Sequence, residues 1–151
     1  MEPKLTSKPA FTVVGLRLRT QAMSPEIPAL WDRFVPRMGE IQDQTESHVS
    51  DGWMGHFDQA AGTLDYMAGN CVSQANQLPP GMTRWDVPAN TYAVLETTLS
   101  AIGETFGYLS NTWLPSSGYQ QVDAPCFERY GAAFSPENPV VEIYLPVKKN
   151  L

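Results

Sequence analysis

A single acidic residue lies within a run of aromatic residues in the last quarter of the chain. Glu128 stands between Phe127 and an Arg-Tyr pair in the segment CFERY, residues 126–130. A carboxylate that is removed from water without a partner costs several kcal/mol, so it is rarely retained without a purpose. The segment therefore indicates one of two roles. Glu128 is either a solvent-facing residue of an ordinary strand or a negative charge placed among aromatic rings to bind a cation.

The alternation of side chains along a strand indicates which groups share a face with this carboxylate. Glu128 and Tyr130 are two residues apart and therefore point to the same side. Glu142 and Tyr144 share a face on the next predicted strand in the same way. If Tyr144 faces the same cleft as Glu128, its hydroxyl is expected to hold the carboxylate until a cation binds. Glu142 is expected on the outer face.

Aromatic residues elsewhere in the chain supply candidate walls for such a site. Trp31 and Trp113 lie on the apolar stripes of two predicted helices, where they either pack in the core or line a cleft. A ring that lies over a desolvated cation contributes ~1–2 kcal/mol. The predicted ligand-binding residues are Glu128, Tyr144, Trp113, Tyr92, Trp85, Tyr66 and Trp31.

Motifs for catalysis, metal binding or cofactor binding do not occur in the sequence. It has no G-x-S-x-G elbow, no glycine-rich phosphate loop and no H-E-x-x-H pair. The histidines, His48 and His56, have a spacing that fits no common zinc site, and a surface role is expected for both. Cys71 and Cys126 lie in apolar runs and are expected to be buried free thiols. We therefore predict no metal, no cofactor and no enzymatic activity.

The composition and net charge limit the classes of protein to which the chain can belong. With 151 residues, 42% hydrophobic and 17% charged, the chain is expected to form one globular domain. The net charge of −6 and the lack of clustered basic residues beyond Lys148 and Lys149 argue against direct binding to nucleic acid. No signal peptide or membrane-spanning run is present. A cytoplasmic protein is the expectation.

The order of the predicted elements repeats once along the chain, with pseudo-repeats at about 9–75 and 84–149. The predicted elements are a strand at 11–19, a helix at 26–38, strands at 53–57 and 64–73, a strand at 91–99, a helix at 101–113, and strands at 126–130 and 140–147. Two β-α-β-β units of this kind can pair into one mainly antiparallel sheet with both helices on one face. The predicted class is therefore α+β, with a ligand cleft between the two helices.

Several segments also resemble a known family. They are AFTVVGLR, IPALWDRF, DYMAG, WLPSSGY, PCFERY and ENPVVEIYLPVKK. Together they cover nearly the whole chain, which resembles the GyrI-like small-molecule-binding domain, the effector-binding half of AraC-type and MerR-type transcription regulators. The resemblance implies the duplicated fold and a cleft for amphipathic, often cationic aromatic compounds. It also implies that an acid on the penultimate strand faces the ligand charge, and by motif this acid is Glu128.

The same resemblance implies three roles. A chain that consists of this module alone, without a helix-turn-helix segment, is expected to sense or sequester a hydrophobic cation. Alternatively, it acts through a protein partner, such as a transcription regulator or DNA gyrase. A third role is hydrolysis of cyclopropane-bearing genotoxins, in which Glu128 activates water and Tyr144 or Tyr66 donates a proton.

Overall fold

The computed structural model of the protein describes residues 1–151 and contains one nine-stranded sheet. The strands are β1 Lys4–Lys8, β2 Phe11–Gln21, β3 Ser50–Asp58, β4 Thr63–Val72, β5 Thr83–Val87, β6 Asn90–Thr98, β7 Tyr119–Gln121, β8 Cys126–Tyr130 and β9 Val140–Lys149. The α-helical segments are α1 Glu26–Phe34, α2 Ile102–Tyr108 and α3 Leu114–Ser117. A π-helical turn, Leu109–Trp113, joins α2 to α3, and 3-10 turns occupy Val35–Glu40 and Leu99–Ala101.

The sheet confirms the predicted duplication. Its strand order is β1-β6-β9-β8-β3-β4-β2-β5, with β7 beside β9, and every pair is antiparallel. One unit is β2-α1-β3-β4 and the other is β6-α2-α3-β8-β9. The two units meet where β3 pairs with β8, so an approximate two-fold relates them at the centre of the sheet.

Three strands, β1, β5 and β7, were not predicted from the sequence. β1 and β5 belong to a ribbon, in which the chain from β1 to β2 runs beside the chain from β5 to β6 and joins the ends of the sheet. β1 pairs with β6 and β2 pairs with β5 in the same register, from Lys4 opposite Val94 to Gly15 opposite Thr83. The register leaves Pro9 and Pro88 in the gap between these two pairings. Because proline has no N–H to donate, the ladder stops there and the ribbon passes from one half-sheet to the other.

Both helices end at other residues than predicted. α1 ends at Phe34 rather than at 38, and the chain continues as a 3-10 turn, Val35–Glu40, which contains Pro36. In the second half, the helical segment extends beyond the predicted end at 113, because the π-helical turn connects α2 to α3, which contains Pro115. The helix ends at Gly118, whose φ of +80° is a left-handed conformation that glycine adopts without strain.

Both helices cover the same face of the sheet, which confirms the predicted layer order. The cluster under α1 includes Leu30 and Phe34, and the cluster under α2 and α3 includes Leu109 and Trp113. The opposite face carries a third cluster that is rich in aromatic residues. Its buried members are Val13, Trp53, Met67, Trp85, Val87, Tyr92, Val94, Phe127 and Tyr144. Full burial of each large side chain contributes roughly 1.5–3 kcal/mol, so both faces stabilise the sheet.

Both cysteines are free thiols; Cys126 is buried, as expected, whereas Cys71 is only partly buried. No group of three or more His, Cys, Asp or Glu side chains is arranged to hold a metal ion. No helix has the length and apolar character that crossing a membrane requires.

Candidate functional site

Glu128 lies at the centre of the sheet, on the face that carries the helices. In the register, Glu128 is directly opposite Ile143 on β9 and Gly52 on β3, and Gly52 is in turn opposite Ala68 on β4. Ile143 belongs to the cluster under α2 and α3, and Ala68 belongs to the cluster under α1. The carboxylate therefore lies between the two helices, near the two-fold that relates the halves.

Three side chains form a hydrogen-bonded chain that ends on one oxygen of this carboxylate. The Tyr66 hydroxyl donates to Glu128 Oε1 at 2.5 Å, and the Tyr130 hydroxyl donates to the same oxygen at 2.8 Å. The indole Nε1–H of Trp31 donates to the Tyr66 hydroxyl at 2.9 Å. Glu128 Oε2 makes no hydrogen bond within the protein. One oxygen is thus held by two tyrosines, and the other has no hydrogen-bond partner within the protein.

Gly52 provides the space in which this cluster forms. A Cβ atom at position 52 would lie 2.6 Å from Glu128 Oε1 and still closer to the Tyr66 hydroxyl. A Cβ at this position would force the Tyr66 and Glu128 side chains to shift, so glycine is the residue that leaves the cluster undisturbed. Since Gly52 and Glu128 face each other at the two-fold between the halves, one half supplies the carboxylate and the other supplies the room for it. The site is therefore single, although the fold is duplicated.

The electrostatic setting leaves the carboxylate without a counter-charge. Glu128 is 6% exposed and forms no ion pair. The neighbouring guanidinium of Arg129 points to the opposite face, where it pairs with Asp51 at 3.1 Å. Burial raises the pKa of Glu128 above its usual range, the hydrogen bonds from Tyr66 and Tyr130 lower it in part, and the charge of Asp51 raises it further. A bound cation would relieve this unfavourable burial.

The hydroxyls that hold Glu128 stay protonated. Burial raises the pKa of Tyr66 and of Tyr130 well above the usual value for tyrosine, and the negative charge of Glu128 raises both further. Both residues are therefore hydrogen-bond donors throughout the neutral range, which is what an ionised carboxylate requires.

Aromatic side chains surround the carboxylate on the helix side. The ring of Trp31 packs edge-on against Tyr130, with ring centres 5.1 Å apart, and Tyr130 packs edge-on against Phe134 at 5.0 Å. Met54 contacts the apolar clusters under both helices, so it lies on the floor between them. The region thus offers rings and a polarisable thioether around one negative charge, which suits a flat or bulky aromatic cation.

The structure brings only part of the predicted set of residues together. Tyr66 and Trp31 join Glu128 directly. Trp113 faces the same side of the sheet, in the cluster under α2 and α3, and its ring stacks on Tyr119 at 5.8 Å.

Tyr144, Tyr92 and Trp85 lie on the opposite face, away from Glu128. The prediction that the Tyr144 hydroxyl holds Glu128 is wrong, because that hydroxyl donates to Glu142 at 3.2 Å. In the register, Tyr144 is opposite Phe127, one residue from Glu128, and a shift of one residue moves a side chain to the other face.

Tyr92 and Trp85 contact other residues on the face opposite to the helices. The ring of Tyr92 packs edge-on against Phe127, with ring centres 5.4 Å apart. Trp85 stacks on His56, with ring centres 5.4 Å apart. The guanidinium of Arg17 lies over the Trp85 ring, 4.2 Å from its centre.

Four residues of the site did not enter the predicted set, namely Gly52, Met54, Tyr130 and Phe134. The alternation along β8 already placed Tyr130 on the same face as Glu128, and it was a usable signal. Gly52 gave no signal in the sequence, because its importance comes from a close approach between two strands that are distant in sequence.

The fold and the site together define a duplicated α+β ligand-binding domain with one buried carboxylate between two helices. The family model of the GyrI-like small molecule binding domain matches residues 1–148, and the chain belongs to this family. The resemblance found in the sequence is thereby confirmed.

Similar proteins include a regulator and domains with the same fold. The chain is 33% identical over 152 residues to the transcriptional regulator BrlR of Pseudomonas aeruginosa; the alignment covers 97% of this chain and 56% of BrlR. The chain thus spans little more than half the length of this relative. The structure of SAV2435 bound to tetraphenylphosphonium superposes with a TM-score of 0.77 at 18% identity, covering 98% of this chain and 94% of that one. The C-terminal domain of EcmrR gives a TM-score of 0.73 at 17% identity, covering 99% and 98%.

Proposed function

We propose that this small-molecule-binding domain takes up amphipathic aromatic cations between α1 and α2, with Glu128 as their counter-charge. The observation that carries the proposal is the state of Glu128, which is buried, raised in pKa and without an ion-pair partner. A buried carboxylate of this kind destabilises the empty protein unless a positive charge joins it. The binding of a cation is the event that completes the site.

The hydrogen bonds determine where the cation is placed. Tyr66 and Tyr130 occupy Oε1 and fix the orientation of the carboxylate, so the positive charge lies on the side of Oε2. The rings of Trp31 and Tyr130 then contact the apolar body of the ligand. Each ring that meets a desolvated cation contributes ~1–2 kcal/mol, so the rings and the charge act in the same direction.

The similar proteins support the proposed chemical class of the ligand and the proposed role of the domain. A neighbour with the same fold is bound to tetraphenylphosphonium, which is a bulky aromatic cation without hydrogen-bond donors. Other relatives are transcription regulators or domains of them. We therefore assign this domain the role of an effector-binding sensor or a sequestering module, which passes its state to a protein partner in the first case.

A comparison of two ligands tests the proposal. Methyltriphenylphosphonium and the neutral triphenylphosphine oxide have nearly the same shape, and each is titrated into the protein by calorimetry and in a thermal-shift series. The phosphonium is expected to bind saturably, to raise the melting temperature with concentration, and to be recovered unchanged. Equal affinity for the neutral compound would contradict the role of charge.

Two further outcomes would favour the other roles. Water added to a cyclopropane-bearing compound with turnover, as seen by mass spectrometry, would indicate a hydrolase. Stable copurification with gyrase, together with no affinity for any cation, would indicate a protein-binding inhibitor.

A further inference from the structure

An exposed methionine of the first unit reaches the second unit on the side of the sheet that carries the helices. Met23 lies in the turn between β2 and α1, and Gly103 lies in the first turn of α2. A Cβ atom at position 103 would lie 3.7 Å from the sulfur of Met23 and 4.0 Å from its terminal methyl group, which are ordinary van der Waals distances. We call this contact the Met23 bridge.

The Met23 bridge crosses open space. Met23 is 83% exposed, although the end of its side chain lies beside Gly103. A methionine that packs onto the sheet is buried, as Met67 and Met82 are. The bridge therefore spans a gap between the two units and does not fill a gap in the core.

The backbone at Met23 is in an unfavourable conformation. Its φ of +63° lies in the left-handed region, which residues other than glycine rarely adopt. The Ser24 N–H donates to the Gln21 carbonyl at 3.2 Å, so Met23 is the third residue of a tight turn, where a positive φ favours glycine or asparagine. Strained residues of this kind cluster at binding and active sites. The turn alone would form more easily with glycine, so it does not account for a methionine here.

The register between the strands shows which positions of the two units are equivalent. Gly52 on β3 and Glu128 on β8 face each other at the approximate two-fold. Leu16 on β2 lies level with Gly52, two strands further out. Leu95 on β6 lies level with Glu128, also two strands further out. Leu16 and Leu95 are therefore equivalent positions of the two units.

The Met23 bridge lies close to the same two-fold. Met23 comes seven residues after Leu16, and Gly103 comes eight residues after Leu95, so Met23 and Gly103 occupy nearly equivalent positions. Two equivalent positions can be in contact only near the axis, because the rotation carries each of them to the other side of it. Both residues belong to the segments that begin the helices. The bridge therefore lies over Glu128, on the outer side of the cleft.

From this position we infer that Met23 is a ligand-binding residue, which packs on the rings of a bulky aromatic cation from the outside while Glu128 meets its charge. The inference rests on the proposed uptake of cations at Glu128. A methionine sulfur beside an aromatic ring is a favourable contact, and the flexible side chain adapts to rings of different shape. Met54 lies on the floor of the same cleft, so the rings of the ligand lie between two thioethers.

The bridge also favours cations with several rings. A cation with one ring places it against Trp31 and Tyr130, next to Glu128. A cation with three rings has at least one that points outward, toward Met23. The contact with Met23 is therefore available only to the larger ligand.

Titration of two cations into two variants tests the inference. Met23→Ala is expected to weaken the binding of methyltriphenylphosphonium about three- to tenfold, because the contact between sulfur and ring is lost. The binding of trimethylphenylphosphonium, which has one ring, should change less than twofold. The matched control is Val35→Ala, which shortens an exposed apolar side chain at the other end of α1 and should leave both affinities within twofold. The melting temperature of each unliganded variant checks its folding.

The methyl groups of the methionines report the contact directly. The protein has six methionines, and their methyl resonances can be labelled with ¹³C and assigned by substitution. Saturation with methyltriphenylphosphonium is expected to shift the Met23 and Met54 resonances, because aromatic rings change the local magnetic field. The resonance of Met67, which lies on the opposite face of the sheet, should not shift.

The outcomes separate this inference from the proposed function. If methyltriphenylphosphonium binds the unaltered protein, then an unshifted Met23 resonance, or an affinity that Met23→Ala leaves unchanged, overturns the inference and leaves the Glu128 site in place. An equal loss for the one-ring cation, or in Val35→Ala, overturns it as well. If neither cation binds the unaltered protein, the proposed function fails and the inference fails with it.

Discussion

Replacement of Glu128 by glutamine isolates the charge of the site from its shape. The hydroxyls of Tyr66 and Tyr130 can still donate to the side-chain oxygen of glutamine, and the amide NH₂ takes the place of the free Oε2. The volume between Gly52 and the helices is unchanged. The variant therefore keeps the hydrogen bonds and the packing but loses the negative charge.

The size of the effect follows from the geometry and the burial. Coulomb's law with an effective dielectric constant of about 20 gives about 3–4 kcal/mol for unit charges about 4–5 Å apart. Part of this is offset in the unaltered protein, because a water-exposed cation loses its hydration on binding. We expect a net loss of about 1–3 kcal/mol, which is about ten- to a hundredfold in the dissociation constant of a cation. Affinity for the neutral triphenylphosphine oxide should change little.

The variant should be at least as stable as the unaltered protein in the absence of ligand. Burial disfavours the charged form of Glu128, as its raised pKa indicates, and glutamine removes that charge. An increase in melting temperature together with a loss of cation affinity is therefore the expected combination. A residue that only supports the fold would give a decrease in both.

Isothermal titration of two variants against the two ligands decides the matter. Glu142→Gln is the control, because Glu142 lies on the opposite face and accepts its hydrogen bond from Tyr144. Equal losses for the cation and the neutral compound would mean that Glu128 shapes the site rather than binding charge. No loss at all in Glu128→Gln, or an equal loss in Glu142→Gln, would refute the reasoning.

Three further predictions concern the same cluster. Gly52→Ala places a Cβ against Glu128 and Tyr66, so calorimetry should show a stability loss of roughly 1–3 kcal/mol, and titration should show a loss of cation binding. Gly39→Ala is the control: a Cβ there meets no atom within 4 Å, so stability and cation binding should both be preserved. Tyr130→Phe removes a hydrogen bond to the charged form of Glu128, so cation affinity at neutral pH should fall several-fold, whereas Tyr144→Phe should have no such effect. Cation affinity should fall as the pH drops through the raised pKa of Glu128, because the protonated carboxyl carries no charge. This pH dependence should vanish in Glu128→Gln. If it persists in that variant, another group causes it, such as Asp51, whose pKa burial raises to about 6.

The sequence predicted the duplicated architecture well because the two halves carry the same local patterns. The apolar spacing of Ile27, Leu30, Trp31 and Phe34 fits only a helix face, and the β-branched runs of β2, β6 and β9 fit only strands. By contrast, β1 and β5 were missed. They are short and polar, and they are held by pairing with strands that are distant in sequence rather than by their own composition.

For the candidate site, too, the local features were predicted correctly and the contacts between distant strands were not. Alternation along a single strand correctly placed Glu128 and Tyr130 on one face, because that periodicity is local to the chain. Which side chains meet Glu128 from other strands depends on the register between strands, and the turns and the packing of the whole sheet set that register. For this reason the sequence identified the carboxylate, whereas only the tertiary structure showed that Tyr66 and Gly52 face it and that Tyr144 lies on the other side of the sheet.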